Sequence, residues 1–260
     1  MNLLDLHGVR RIDESGLRYS GAIQSCLPSL NIACIDWFSE EWKKVKKDFR
    51  GERQRSEKLG QLVKDLIPTR IGALDGNLSR CIPVSWAAVM QMIKENRRLR
   101  IPRQEWFKAL AIIFLIVTRD RKLVLIRRSD KVAQYKGFYH LSATGYIDAE
   151  TVLTHGLWDG IVETVFKEAK EELDLERGQI IGLRSEGTWL ITGADSANID
   201  FAFTAKTDLT GEEVLALARK AKDSWEGKHR LVEKDEAVAL LQQPTLVPSA
   251  AGCLTRYFGL

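Results

Sequence analysis

The rhythm of apolar and polar positions changes near Trp106. Downstream, "ALAIIFLIVT" and "KLVLIRR" are apolar over most of their length and are joined at "RDR", which predicts two strands. In the second, Leu123 and Leu125 face one way while Val124 and Ile126 face the other, so the strand is covered on both sides. "GFYHLSATGYID" predicts a strand-turn-strand segment. "IVETVFKEAKEEL" contains neither Gly nor Pro, and Val162, Val165, Phe166, Ala169 and Leu173 form one stripe at helical spacing, predicting a helix at about 160–174. "IGLRSEGTWLIT" and "NIDFAFTAKTD" predict a hairpin pair, followed by a helix at "GEEVLALARKAK" and a strand at "KHRLVEK". "KDEAVALLQ" and "SAAGCLTRYFG" predict closing helices. The pattern over 105–260 is that of an α/β domain, a mostly β layer with helices on both sides.

Residues 1–104 have a different texture. "SEEWKKVKKDFRGERQRSEKLGQLVKDLI" is charge-dense and helical in composition, with Ser39 as its N-cap and Trp42 at N3. "IPVSWAAVMQMIKENRRLRIP" predicts a second helix, capped by Ser85, with Trp86, Val89, Met90 and Ile93 on its buried face and Pro102 ending the region. Large apolar side chains left in water cost about 1.5–3 kcal/mol each. This largely helical region is therefore expected to pack on 105–260 or across a homodimer. No fixed-period repeat is present.

Composition narrows the picture. The 260 residues suffice for one large domain or two small ones, and 45% hydrophobic with 28% charged residues is globular. The net charge of +4 is too mild to demand a nucleic-acid partner. The basic cluster Lys43, Lys44, Lys46, Lys47, Arg50, Arg53 and Arg55 alternates with acids, as a solvated face does, and this argues against nucleic acid. Cys26, Cys34, Cys81 and Cys253 are scattered without a C-x-x-C pair, which predicts a reducing compartment and neither zinc nor disulfides. The first residues, "MNLLDLHGVRRIDESG", are interrupted by charges, and the longest apolar run, "ALAIIFLIV", is half a membrane span. A cytoplasmic protein with no membrane partner is expected.

The chemistry concentrates in "FKEAKEELDL". Glu168, Glu171 and Glu172 stand at offsets of zero, three and four, so their carboxylates fall within an arc of about 100° beside the apolar stripe. Like charges at i,i+4 destabilise a helix by a few tenths of a kcal/mol. A divalent cation would reverse that cost, since Mg²⁺ takes oxygen ligands. Glu/Lys-rich helices are also common as solvated faces, and both readings are open on these residues alone.

The segment Gly145–Leu175 resembles the Nudix box, the signature of hydrolases acting on nucleoside diphosphates linked to another group. In "KEAKEELDL", Glu168, Glu171 and Glu172 fall on that box's three helix glutamates, with Ala169 and Leu175 at aliphatic positions. Asp159 stands where the pattern has its first Glu, and "GYID", with Gly145 and Asp148, resembles the turn upstream of the box. An inserted loop including "ETVLTHGLW" lengthens the spacing between Asp148 and Asp159. The sequence departs from the pattern at three places: Lys167 replaces an Arg, Asp174 replaces a Gly, and Leu153 sits at the counted first Gly. A lysine turns a bidentate contact into a point charge.

The resemblance covers about 105–260 and implies a Nudix α/β/α sandwich with a mixed sheet. It implies Mg²⁺- or Mn²⁺-dependent pyrophosphohydrolysis of a small nucleotide-type substrate, with metal held by Glu168, Glu171 and Glu172 and the box supported by Lys167 and Asp159. It further implies a carboxylate from a late strand, for which Glu226 is the candidate and Glu186 the alternative. Arg127 and Arg128 end a strand on opposite faces, and one of them is a candidate for substrate phosphate. Tyr139 and Trp189 are candidates for stacking on a base, or for core packing. His155, on the inserted loop, could act as a base or be idle. The three departures keep open a non-catalytic, nucleotide-metabolite-binding reading. "YKGFYHLSATGYID" also resembles the isopentenyl-diphosphate isomerase branch, but no Cys near it could serve as proton donor.

Overall fold

A computed structural model describes residues 9–11, 65–66, 68–70, 80–81, 84–85 and 108–260, except 133, 148–150, 152–153, 156 and 192–197. In chain order the short early strands are β1 (Val9–Arg11), β2 (Asp65–Leu66), β3 (Pro68–Arg70), β4 (Arg80–Cys81) and β5 (Val84–Ser85). The main domain follows as β6 (Lys108–Val117), β7 (Leu123–Arg128), β8 (Tyr139–His140), β9 (Ala143–Tyr146), α1 (Leu157–Leu173), β10 (Ile181–Ile191) and β11 (Asn198–Lys206). It closes with α2 (Gly211–Ala218), β12 (Gly227–Val232), α3 (Lys234–Leu240) and α4 (Pro248–Phe258).

The sheet is mixed. β6 runs parallel to β11 from Ala109 to Val117, β11 pairs antiparallel with β10, and β12 pairs antiparallel with β7. Alternation along β6 divides the core in two. Leu110, Ile112, Phe114 and Ile116 pack with Val165, Ala169 and Leu173 of α1 and Val214 and Ala218 of α2. Ile113 and Leu115 point the other way, to Ala237 and Leu240 of α3 and to Ala250, Cys253 and Leu254 of α4. β7 obeys the same rule, with Val124 in the first cluster and Leu123 and Leu125 in the second. The long apolar runs are strands covered on both faces, and the result is an α/β/α sandwich.

β6 and β7 are neighbours in sequence yet pair only at Val117↔Leu123. Beyond that point they diverge like a fork. β9 takes the open edge of β6, and β8 takes the open edge of β7. Ser142, between β8 and β9, fills the gap: its Oγ accepts from Ile116 N (2.7 Å) and donates to Val124 O (2.6 Å). One buried hydroxyl thus satisfies two backbone groups that the diverging ladder leaves unpaired. The fork sets the backbone of β9 directly against α1.

The early strands extend this sheet: β1 lies on β10, with Arg11↔Trp189, and β3 lies on β6, with Thr69↔Lys108. Most of the two helices expected in 1–104 falls outside the described residues. Asp65–Leu66, at the end of the first segment, and Val84–Ser85, at the start of the second, pair with each other as strands, and extended backbone at Ser85 is compatible with its place as an N-cap. Among the described residues no helix is long and apolar enough to cross a membrane.

Candidate active site

α1 delivers the acidic stripe because its apolar stripe has one place to go. Val165, Ala169 and Leu173 are fully buried beneath it. That rotation turns Glu168 and Glu172 onto β9, where both are only 2% exposed. Glu172 Oε1 accepts the Thr144 backbone N–H at 2.7 Å. Glu168 lies over Gly145, where a Cβ would overlap its Cδ and Oε1. The glycine of "GYID" is therefore required by close approach, not by a turn angle.

The helix ends at Asp174, whose φ of 55° is left-handed. Its N–H donates to Lys170 O (3.1 Å), and its carboxylate pairs with the Lys170 ammonium. Glycine is the usual residue for such a cap, and aspartate is among the few others that tolerate it. The departure from the box pattern at Asp174 thus preserves the backbone conformation.

Charge gathers around Glu172. Burial, then the neighbouring Glu226 and Glu168 carboxylates, push its pKa well above the usual carboxylate range, while the Thr144 N–H and the Arg128 guanidinium act in the opposite direction. Glu226 comes from the short 3-10 turn Ser224–Glu226 before β12, and its carbonyl accepts from Ser129 N at 2.7 Å. Arg128, half-buried at the end of β7, donates to Gln134 O (3.2 Å) and Thr144 Oγ1 (3.5 Å). Glu171 is turned differently, with its Oε1 accepting from Lys222 Nζ at 2.6 Å. In this conformation no group of three His, Cys, Asp or Glu side chains among the described residues stands at metal-ligand spacing.

Glu168, Glu172, Glu226 and Arg128 are thus brought together, with Glu171 on the adjoining rim. Lys167 is half-buried on the same helix. Asp159 is exposed in the first turn, about 13 Å along the axis from Glu168. Arg127 is exposed, and its Nε donates to Gly137 O (3.4 Å). Tyr139 packs on the cluster under α3 and α4, opposite α1, and its hydroxyl accepts from Arg230 (3.0 Å). Trp189 lies in that same cluster, 2% exposed, with its ring against Gly252. Glu186 is buried in β10, paired with Arg184 and accepting from Thr204 Oγ1 (2.7 Å). His155 is exposed, while Asp148 and Leu153 lie outside the described residues.

Two contacts had no sequence signal. Thr144 acts through its backbone, to which residue type is irrelevant, and Lys222 meets Glu171 across 51 residues.

No protein-family model matches the chain, and no curated protein matches it. Among solved structures it is similar to a Nudix hydrolase from Nitrosomonas europaea, with 14% identity over 58% of this chain and 89% of that one and a TM-score of 0.42. It is similar to a MutT protein from Methanosarcina mazei Go1 (16% identity, 58% of this chain, 91% of that one, TM-score 0.37). It is also similar to the Nudix domain of Shewanella oneidensis NrtR, solved with ADP ribose (14% identity, 64% and 96%, TM-score 0.39). With its acidic helix laid across the fork of a mixed sheet between two helical layers, the domain resembles the Nudix hydrolases in fold.

Proposed function

We propose that this chain is a divalent-metal-dependent pyrophosphohydrolase acting on a nucleoside diphosphate linked to another group. One observation carries the reading: Glu168 and Glu172 are buried side by side against Thr144 and Gly145, with Glu226 close enough to raise the proton affinity of Glu172. Buried like charges are costly, and a protein that keeps them in a cluster has a use for them. The donor set is carboxylate oxygen, which fits a hard cation such as Mg²⁺ or Mn²⁺. Glu168, Glu171 and Glu172 would hold it. When bound, such an ion neutralises the diphosphate and acidifies a water. Arg128 offers its guanidinium to a phosphate oxygen. Glu226 takes the proton of the attacking water as the bridging P–O bond breaks. Lys167 steadies the loop before α1, so Lys167→Arg keeps activity and Lys167→Ala lowers it.

A second reading, a non-catalytic sensor of a nucleotide metabolite, is favoured by the engagement of Glu171 with Lys222. A panel of nucleoside diphosphate derivatives, incubated with Mg²⁺ and followed by product identification, separates the two. Turnover that falls by about 10²–10⁴-fold in Glu226→Gln supports the enzyme. Saturable binding of a panel member without turnover supports the sensor.

A further inference from the structure

The turn between α2 and β12 touches the acidic site twice, with opposite charges. Glu226 adds a carboxylate beside Glu172. Four residues earlier, Lys222 sets its ammonium on Glu171 Oε1 at 2.6 Å. The turn is anchored at both ends: Asp223 N donates to Glu171 O (2.9 Å) at the end of α1, and Ser129 N donates to Glu226 O (2.7 Å) after β7. Between these anchors Trp225 is 45% exposed, with its Nε1 donating to Asp223 Oδ1 (3.2 Å).

We infer that Lys222 is a resident cation of the acidic site, which competes with a divalent ion for the Glu171 carboxylate and so tunes the affinity for the ion. This deepens, and rests on, the metal reading proposed above. A hard divalent ion and an ammonium compete for the same oxygen lone pairs. The lysine side chain is 53% exposed and Glu171 only 16%, so release hydrates the ammonium readily while the carboxylate stays in place for the incoming ion. The exchange is a tuning element rather than a block, because pairs with one exposed partner are weak. It also transmits to the turn, since Glu171 holds both the Lys222 ammonium and the Asp223 N–H.

The test is Mg²⁺ titration of the full chain by calorimetry, with tryptophan emission as a second readout and Trp225→Phe to assign the signal. Lys222→Gln should bind Mg²⁺ about two- to fivefold more tightly, by the loss of a competing pair. Lys222→Arg should not. Lys220→Gln removes the same charge from a neighbouring exposed position and should stay close to wild type. Mg²⁺ should change Trp225 emission in wild type, and Lys222→Gln should already show much of that change without metal. Equal gains in Lys222→Gln and Lys220→Gln would reduce the effect to general electrostatics and overturn the inference, as would an unchanged affinity in Lys222→Gln. The double variant Glu171→Gln/Glu172→Gln separates the two levels. If it binds Mg²⁺ as wild type does, the metal reading itself fails. If it loses Mg²⁺ while Lys222→Gln leaves affinity unchanged, only the role of Lys222 fails.

Discussion

Gly145 of β9 lies so close beneath Glu168 of α1 that no side chain fits between the strand and the carboxylate. Gly145→Ala should therefore push Glu168 off β9, costing about 1–3 kcal/mol, as overpacking does. Urea denaturation should report the loss, and Mg²⁺ titration of the folded variant should show weaker binding. Gly178→Ala, at a position where a Cβ meets nothing, should leave both unchanged.

Glu172 is held among like charges in a buried place, so the acidic site and stability pull against each other. Glu172→Gln retains an oxygen for the Thr144 N–H and removes the repulsion. The metal-free variant should melt higher than wild type, by the equivalent of about 1 kcal/mol, a usual gain where function opposes stability. Added Mg²⁺ should raise the wild-type melting temperature by mass action and leave the variant's nearly unmoved. A variant that melts lower without metal and still responds to Mg²⁺ would contradict both statements.

The cap at Asp174 gives a conformational test. Asp174→Gly should be neutral to slightly stabilising, because glycine adopts the left-handed cap freely. Asp174→Val should cost about 1–2 kcal/mol, since a β-branched residue is strained there. Equal stabilities in chemical denaturation would show that φ does not govern the position.

Asp200 supplies a pH dependence remote from the acidic helix. It stands opposite Trp189 in the ladder, is 4% exposed, and its Oδ1 lacks a hydrogen-bond partner. Burial raises its pKa from 3.8 to about 6, partly offset by the Ser249 hydroxyl. Between those values the folded state binds more proton than the unfolded chain, so this group's contribution falls as pH rises from about 4 to about 6 and stays lost above. Asp200→Asn should flatten that slope and gain up to about 3 kcal/mol at pH 8, at about 1.4 kcal/mol per pKa unit. Denaturant midpoints of both proteins from pH 4 to 8 check it.

The layers were legible because burial writes itself into alternation. Leu123/Leu125 and Val124 enter opposite cores as their spacing required, and α1 turns the face that Val165, Ala169 and Leu173 demanded. The acids were legible for the same reason, being fixed relative to that stripe on a rigid helix. Contacts between distant segments left no trace. Tyr139 read as a candidate for base stacking or for core packing, and nothing in the sequence told that its hydroxyl meets Arg230, 91 residues on. Arg127 and Arg128 were indistinguishable until the parity of β7 put Arg128 alone beside Glu172. The pairing Asp65↔Ser85 likewise joins two segments that nothing in the local pattern brings together.

Ser142 has a dynamic consequence. The Ile116 amide, fully buried in the longest apolar run of the chain, is held by a side-chain oxygen instead of a neighbouring strand. Its hydrogen exchange with solvent therefore reports the opening of the fork, at a free energy that need not match that of global unfolding. β9 lies in that fork, and Thr144 and Gly145 lie in β9. Breathing at a single serine hydroxyl is thereby geared to the footing of Glu168 and Glu172, and the exchange rate of one amide becomes a gauge of how firmly the acids stand.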